Sequence, residues 1–170
     1  MENEVIMNGS WQTTIVMAWE NADGNTHNEN FLDTIWEMSL TAFDKPREVQ
    51  VVIDDYNRPY ISFGTPGFVS FEKVPTGMIL PIKCWIHTHP FGSAYFSGTD
   101  WKTIRTWQSL MSEAIVLGDN EHMIWQKGSK HTIFYRKQTI DDFNQRVLEE
   151  FGMEMGPYIQ TTVDKWDEEE

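Results

Sequence analysis

The sequence predicts an α+β fold in which a mixed or largely antiparallel sheet is flanked by helices as an α-β-α sandwich. Short runs rich in β-branched and aromatic residues recur along the chain, separated by compact turns of Pro, Gly and Asn. Helix-period stretches lie among the early strands, after the middle of the chain and near its end. That alternation is the layered pattern of a sheet packed on helices.

Residues 11–19 (WQTTIVMAW) read as an opening strand, and the polar stretch 21–30 as a loop. Phe31, Leu32, Ile35, Trp36, Leu40 and Phe43 recur at helical spacing. This helix is expected to stop near Lys45, because Pro46 disfavours helical backbone in the residue before it. A strand follows over 48–53. Residues 60–63, 68–71 and 78–86 read as further strands of an antiparallel meander, divided by Asn57-Arg58-Pro59, Thr65-Pro66-Gly67 and Pro75-Thr76-Gly77. After a Gly/Ser loop, a helix is expected from Thr99 or Asp100 to about Met111, with Ile104, Trp107 and Leu110 on one side. Strands over 114–117, 122–126 and 132–136 surround turns at Asp119-Asn120 and Lys127-Gly128-Ser129, and a last helix is expected over 140–151.

With 170 residues, 40% of them hydrophobic, the chain can bury one core without disulfides. We expect a single domain over 1–160 and an acidic tail over 161–170, where Asp164, Asp167, Glu168, Glu169 and Glu170 fall. A formal net charge of -13 and a pI near 4.7 argue against nucleic acid or an anionic membrane as partner, since both are gripped through Lys and Arg. No run approaches the ~18 apolar residues of a membrane span, no secretory leader is evident, and Cys84 is the one cysteine, so the cytoplasm is the expected location. Trp11, Trp19, Trp36, Trp85 and Trp125 are assigned to packing.

The chemistry concentrates in His87-Thr88-His89-Pro90, followed by Ser97 and Asp100. Histidines at i and i+2 of a strand share a face with Cα atoms about 6.5 Å apart, so both rings can reach one ion. Asp100 can close a three-ligand set after one loop. Three protein ligands with a fourth position left to water are typical of catalytic zinc, and a lone cysteine excludes a Cys-rich structural site. Each residue also has a plain structural reading. The histidines could be one packed and one solvated ring, and Asp100 and Ser97 could simply cap a helix. His27, His122 and His131 lack paired spacing and read as packed or exposed.

From His87 to Asp100 the chain resembles the JAMM (MPN⁺) metallopeptidase family, whose signature is a distant Glu, then His-x-His-Pro, then Ser-x-x-Asp. The resemblance implies the MPN sandwich, which is cytidine-deaminase-like, and Zn2+ held by His87, His89 and Asp100. It further implies that Glu48 activates a water on that zinc and that Ser97 helps to stabilise an oxyanion. Glu48 is matched through Pro46-Arg47-Glu48, at the junction where the family carries its glutamate. Its structural alternative is a strand residue in a weak ion pair with Arg47. Glu37 and Glu72 compete for the role but lack the Pro-x-Glu context. Two departures stand out: Glu48-Val49-Gln50-Val51-Val52 has no Gly, and Phe96 precedes the motif serine where the family often has Pro.

The implied activity is hydrolysis of an amide or isopeptide bond beside a ubiquitin-like or sulfur-carrier-like protein tail. An extended peptide could add to a sheet edge near the site. Alternatives are a RadC-like relative of the same superfamily and a non-catalytic MPN-type interaction module.

Overall fold

The computed structural model describes residues 9–63, 77–137 and 158–164. The expected strand over 68–71, the expected helix over 140–151 and Glu72 lie outside them.

Residues 11–19 are not a strand but part of helix α1 (Gly9–Asn21). Ile15, Ala18, Trp19 and Ala22 are buried, while Thr13, Thr14 and Val16 are exposed, which is the spacing of one helix face. The β-branched run is a weak local preference, and the burial pattern overrides it. Helix α2 (Glu29–Thr41) starts at Asn28, whose side chain accepts from the Phe31 N–H at 2.9 Å, and buries Phe31, Leu32, Ile35 and Met38. Trp19 packs on Phe31 with ring centroids 4.9 Å apart, joining the two helices.

Strands β1 (Val49–Ile53), β2 (Pro59–Phe63), β3 (Cys84–Thr88), β4 (Glu113–Gly118), β5 (Glu121–Gln126), β6 (His131–Lys137) and β7 (Tyr158–Asp164) form one sheet in the order β2-β1-β3-β4-β5-β6-β7. The expected meander is corrected at its last strand, because β3 lies between β1 and β4. Strand β4 runs parallel to β3, which makes the sheet mixed. A parallel neighbour requires a crossover, and helix α3 (Gly98–Trp107) supplies it. The strand expected over 78–86 is confined to β3 at its far end. Pro81 has no N–H to give a ladder, and Ile82 makes only an isolated bridge to Met111. The helix expected to reach Met111 ends at Trp107, followed by a 3-10 turn over Gln108–Leu110. Strand β7 carries the sheet to Asp164, four residues into the stretch expected as a tail.

Alternation along the central strands divides the core between two faces. Val49, Val51, Ile53, Cys84, Ile86 and Ile115 meet α1 and α2. Val52, Trp85, Ala114, Val116 and Trp125 meet Trp101 and Ile104 of α3. The layers are therefore helices, sheet and helix, as expected. Trp19, Trp85 and Trp125 are buried, and Trp11 and Trp36 pack partly buried against the α1/α2 core.

On the α1/α2 face, the His27 ring contacts the Glu113 carboxylate, which also accepts from the Thr26 hydroxyl at 2.6 Å. This ties the α1–α2 turn to the start of β4. The hydrogen bond and charge of Glu113 raise the His27 pKa against the opposing effect of burial. Burial works against the Glu113 charge, yet His27 and Thr26 hold its pKa below the ordinary value. The histidine contribution to stability is complete below the ordinary pKa of 6.5 and disappears as pH rises through the raised one. The glutamate contribution is complete above 4.5 and disappears as pH falls through the depressed one. The melting-temperature gap between wild type and His27→Gln is therefore expected to be widest between those two values and to shrink above them. A gap that does not vary with pH would remove the pair from this role.

Gly118 closes β4 directly beneath the 92–94 loop. A Cβ there would lie 2.3 Å from Ala94 N and 2.6 Å from Ser93 C, both backbone atoms that cannot rotate away. The same loop is held by Asp119 N–H to Gly92 C=O at 3.0 Å and Ala94 N–H to the Glu121 carboxylate at 2.8 Å. Gly118→Ala is expected to lower stability by about 1–3 kcal/mol, the usual range for overpacking, measured by denaturant unfolding. Wild-type stability in that variant would show that the loop moves freely.

Candidate metal centre

The site forms where the end of β3 meets the start of α3. His87 lies in β3 between Gln50 of β1 and Val116 of β4, and its side chain is 1% exposed. His89 follows the strand, held by its N–H to the Leu117 C=O at 2.8 Å. Their rings face the α3 side with centroids 5.2 Å apart, as two residues of separation on a strand require.

Asp100 comes from the first turn of α3. Ser97 is the N-cap: its hydroxyl oxygen accepts from the Asp100 N–H at 3.1 Å, and the Asp100 carboxylate accepts from the Ser97 N–H at 3.0 Å. This reciprocal box satisfies two otherwise orphaned N–H groups and aims the carboxylate back at the strand. Asp100 Oδ2 lies 3.1 Å from His87 Nε2 and 3.2 Å from His89 Nε2. Burial opposes the Asp100 charge, but the two imidazoles and the Ser97 N–H hold its carboxyl far below the usual carboxylate range. Burial also opposes a charged His89, yet Asp100, the Ser93 carbonyl and the Glu48 carboxylate raise its pKa.

Ligand atoms of His87, His89 and Asp100 all lie within 4.8 Å of one another, the one such group of His, Cys, Asp and Glu among the described residues. Nδ1 of His87 is buried with no hydrogen-bond partner among the described residues, and Nε2 faces the Asp100 carboxylate. A buried polar atom left so is rare unless something else occupies its lone pair. Two imidazoles and a carboxylate are donors suited to a divalent transition metal. The group can hold a metal ion.

Glu48 and Ser97 both line a cleft of about 320 Å³ together with His89, Phe91, Ser93 and Tyr95. Glu48 immediately precedes β1, so the chain brings it to the motif from a separate element. Glu37 instead lines a second cleft of about 410 Å³, between α2 and the β4–β5 hairpin, with Asp33, Asp119 and Glu121. His122 is buried and stacked on Tyr135, with burial pushing its pKa down to about 4. His131 is exposed. The 91–96 loop, where Phe96 departs from the family pattern, places two exposed aromatics beside the metal group: Phe91, 66% exposed, and Tyr95, 52% exposed and edge-on to His89 at 5.1 Å. Nothing in their spacing distinguishes them from core aromatics.

No family model, curated protein or solved structure matches the chain. Among the described residues, no helix is long and apolar enough to cross a membrane.

Metal loading is expected to raise the melting temperature of wild type, because the ion binds the folded site. His87→Ala, His89→Ala and Asp100→Ala should each abolish that rise. Since a ligating imidazole must be neutral and His89 has a raised pKa, affinity should fall as pH drops through that pKa, by about tenfold per unit for one displaced proton. Chelator competition across pH measures this, and stoichiometric binding by the Asp100→Ala protein would discard the ligand set.

Proposed function

We propose that this chain is a zinc-dependent hydrolase of amide or isopeptide bonds, of the JAMM type that its motif resembles. His87, His89 and Asp100 hold the zinc, and Glu48 is the general base and acid. The observation that carries this reading is the convergence of Glu48 and Ser97 on the cleft that His89 also lines. A zinc ion in that group supplies a Lewis acid that polarises the scissile carbonyl and lowers the pKa of water.

Glu48 is half-buried and close enough to His89 to shift its pKa, so its carboxylate stands beside the metal group without being one of its donors. A carboxylate so placed can take a proton from the attacking water and pass it to the leaving amine. Ser97 caps α3 through an oxygen lone pair, which leaves its O–H to donate toward a developing oxyanion. Phe91 and Tyr95 offer an aromatic wall to the residues flanking the scissile bond, and the loop that carries them is already fixed by Gly118 and Glu121. The substrate is a protein or peptide, and we propose an extended ubiquitin-like or sulfur-carrier-like tail. Retention of all three donors supports an enzyme over a non-catalytic interaction module.

Glu48→Gln should retain zinc and lose about 10²- to 10⁴-fold in hydrolysis of ubiquitin-like fusions, the span of a general acid–base contribution. Full activity in that variant sinks the assignment of the base. Absence of hydrolysis by zinc-loaded wild type on folded and peptide fusions alike sinks the enzymatic reading.

A further inference from the structure

Ligating histidines ordinarily tie their second ring N–H to a carboxylate, a carbonyl or water, which fixes ring rotation and tautomer. Among the described residues no carboxylate or carbonyl supplies such a tie to His87 Nδ1. What holds the ring is the face of Trp85, stacked at 4.3 Å between centroids and 13° between planes. Trp85 is itself anchored: its indole N–H donates to Gln50 Oε1 at 2.8 Å. Gln50 in turn donates from Nε2 to the Ser62 hydroxyl at 2.8 Å.

Gln50 is the unexpected residue in this chain of contacts. It sits in the fully buried run Val49–Ile53, otherwise Val and Ile, and is 6% exposed. A buried amide is unfavourable unless its polar atoms are bonded, and an aliphatic residue would serve packing alone. In the β1–β3 register Gln50 is the direct partner of His87, so the amide lies across the strand pair from the ring it does not touch by hydrogen bond.

We propose that Gln50 and Trp85 are positioning residues for the metal centre, with Gln50 acting through the indole to fix the rotation of His87. Stacking on the anchored indole is the device that orients this ligand. The proposal rests on metal binding by His87, and it stands apart from whether the bound ion hydrolyses anything.

The test is zinc affinity by chelator competition, with the absorption spectrum of the cobalt-loaded protein as a second readout. Gln50→Met keeps volume and removes the acceptor. Trp85→Phe keeps an aromatic face and removes the indole N–H. Each is expected to weaken zinc binding about tenfold, the lower end for residues that orient a ligand, and to shift the cobalt bands. The double variant should bind no more weakly than either single one, because both remove the same tether. Losses that multiply in the double variant would show two independent packing effects and overturn the proposal, as would an unchanged affinity in Gln50→Met. If Gln50→Met does not fold, Ser62→Ala removes the exposed end of the chain of contacts. A loss of affinity that vanishes in the Trp85→Phe background then supports the proposal, and no loss overturns it.

Discussion

One carboxylate oxygen governs the arrangement of the site. Asp100 Oδ2 accepts from the Ser97 N–H and lies 3.1 and 3.2 Å from two imidazole nitrogens, in a residue only 6% exposed. A carboxylate this buried is tolerated only when paired and hydrogen-bonded. The pairing requires the first turn of α3 to lie against the end of β3, and the same helix then returns the chain to β4, parallel to β3. The Gly118 contact with the 92–94 loop follows from the same requirement, because the chain between strand and helix must turn tightly over the end of β4. The topology and the metal group are two aspects of one placement.

Most of the sheet was legible because its strands have well-formed turns and strong apolar runs. The segments read as 48–53, 60–63, 114–117, 122–126 and 132–136 match β1, β2, β4, β5 and β6 within one or two residues. The error at α1 is local. Thr13, Thr14, Ile15 and Val16 suggest a strand by residue type, while burial at Ile15, Ala18, Trp19 and Ala22 follows a helical period that leaves the apolar Val16 and Met17 exposed. Strand order was less legible, because insertion of β3 between β1 and β4 is a long-range choice, and local pattern does not encode it. The donors His87, His89 and Asp100 were legible from spacing, since strand and helix geometry translate i, i+2 and first-turn positions directly into a shared face. The ring-orienting role of Trp85 was not, because a tryptophan in an apolar strand carries the same local signal whether or not it stacks on a ligand.

The two faces of the sheet put similar groups to different uses. On the α1/α2 face, Glu113 meets His27 together with Thr26 and Gln126, all hydrogen-bonded, and the result is a tether between a turn and a strand. On the α3 face, Asp100 meets two histidines, one of which has a buried Nδ1 with no hydrogen-bond partner among the described residues. Satisfaction separates them. Glu113 already has three partners, whereas the His87 imidazole is held by stacking and leaves ring nitrogen capacity for an ion.

The structural and functional readings of the motif therefore describe the same bonds. Ser97 is an N-cap, and capping is what turns the Asp100 carboxylate toward the histidines. Because the cap consumes a lone pair and not the hydroxyl proton, it leaves Ser97 chemically able to donate at the mouth of the cleft that Glu48 also lines. A helix start placed one residue later would put Gly98 at the N-cap, where no side-chain oxygen is available, and would break the reciprocal box between Ser97 and Asp100. Capping and the histidine pair therefore favour the same start, and the bonds that begin the helix are the bonds that aim the carboxylate.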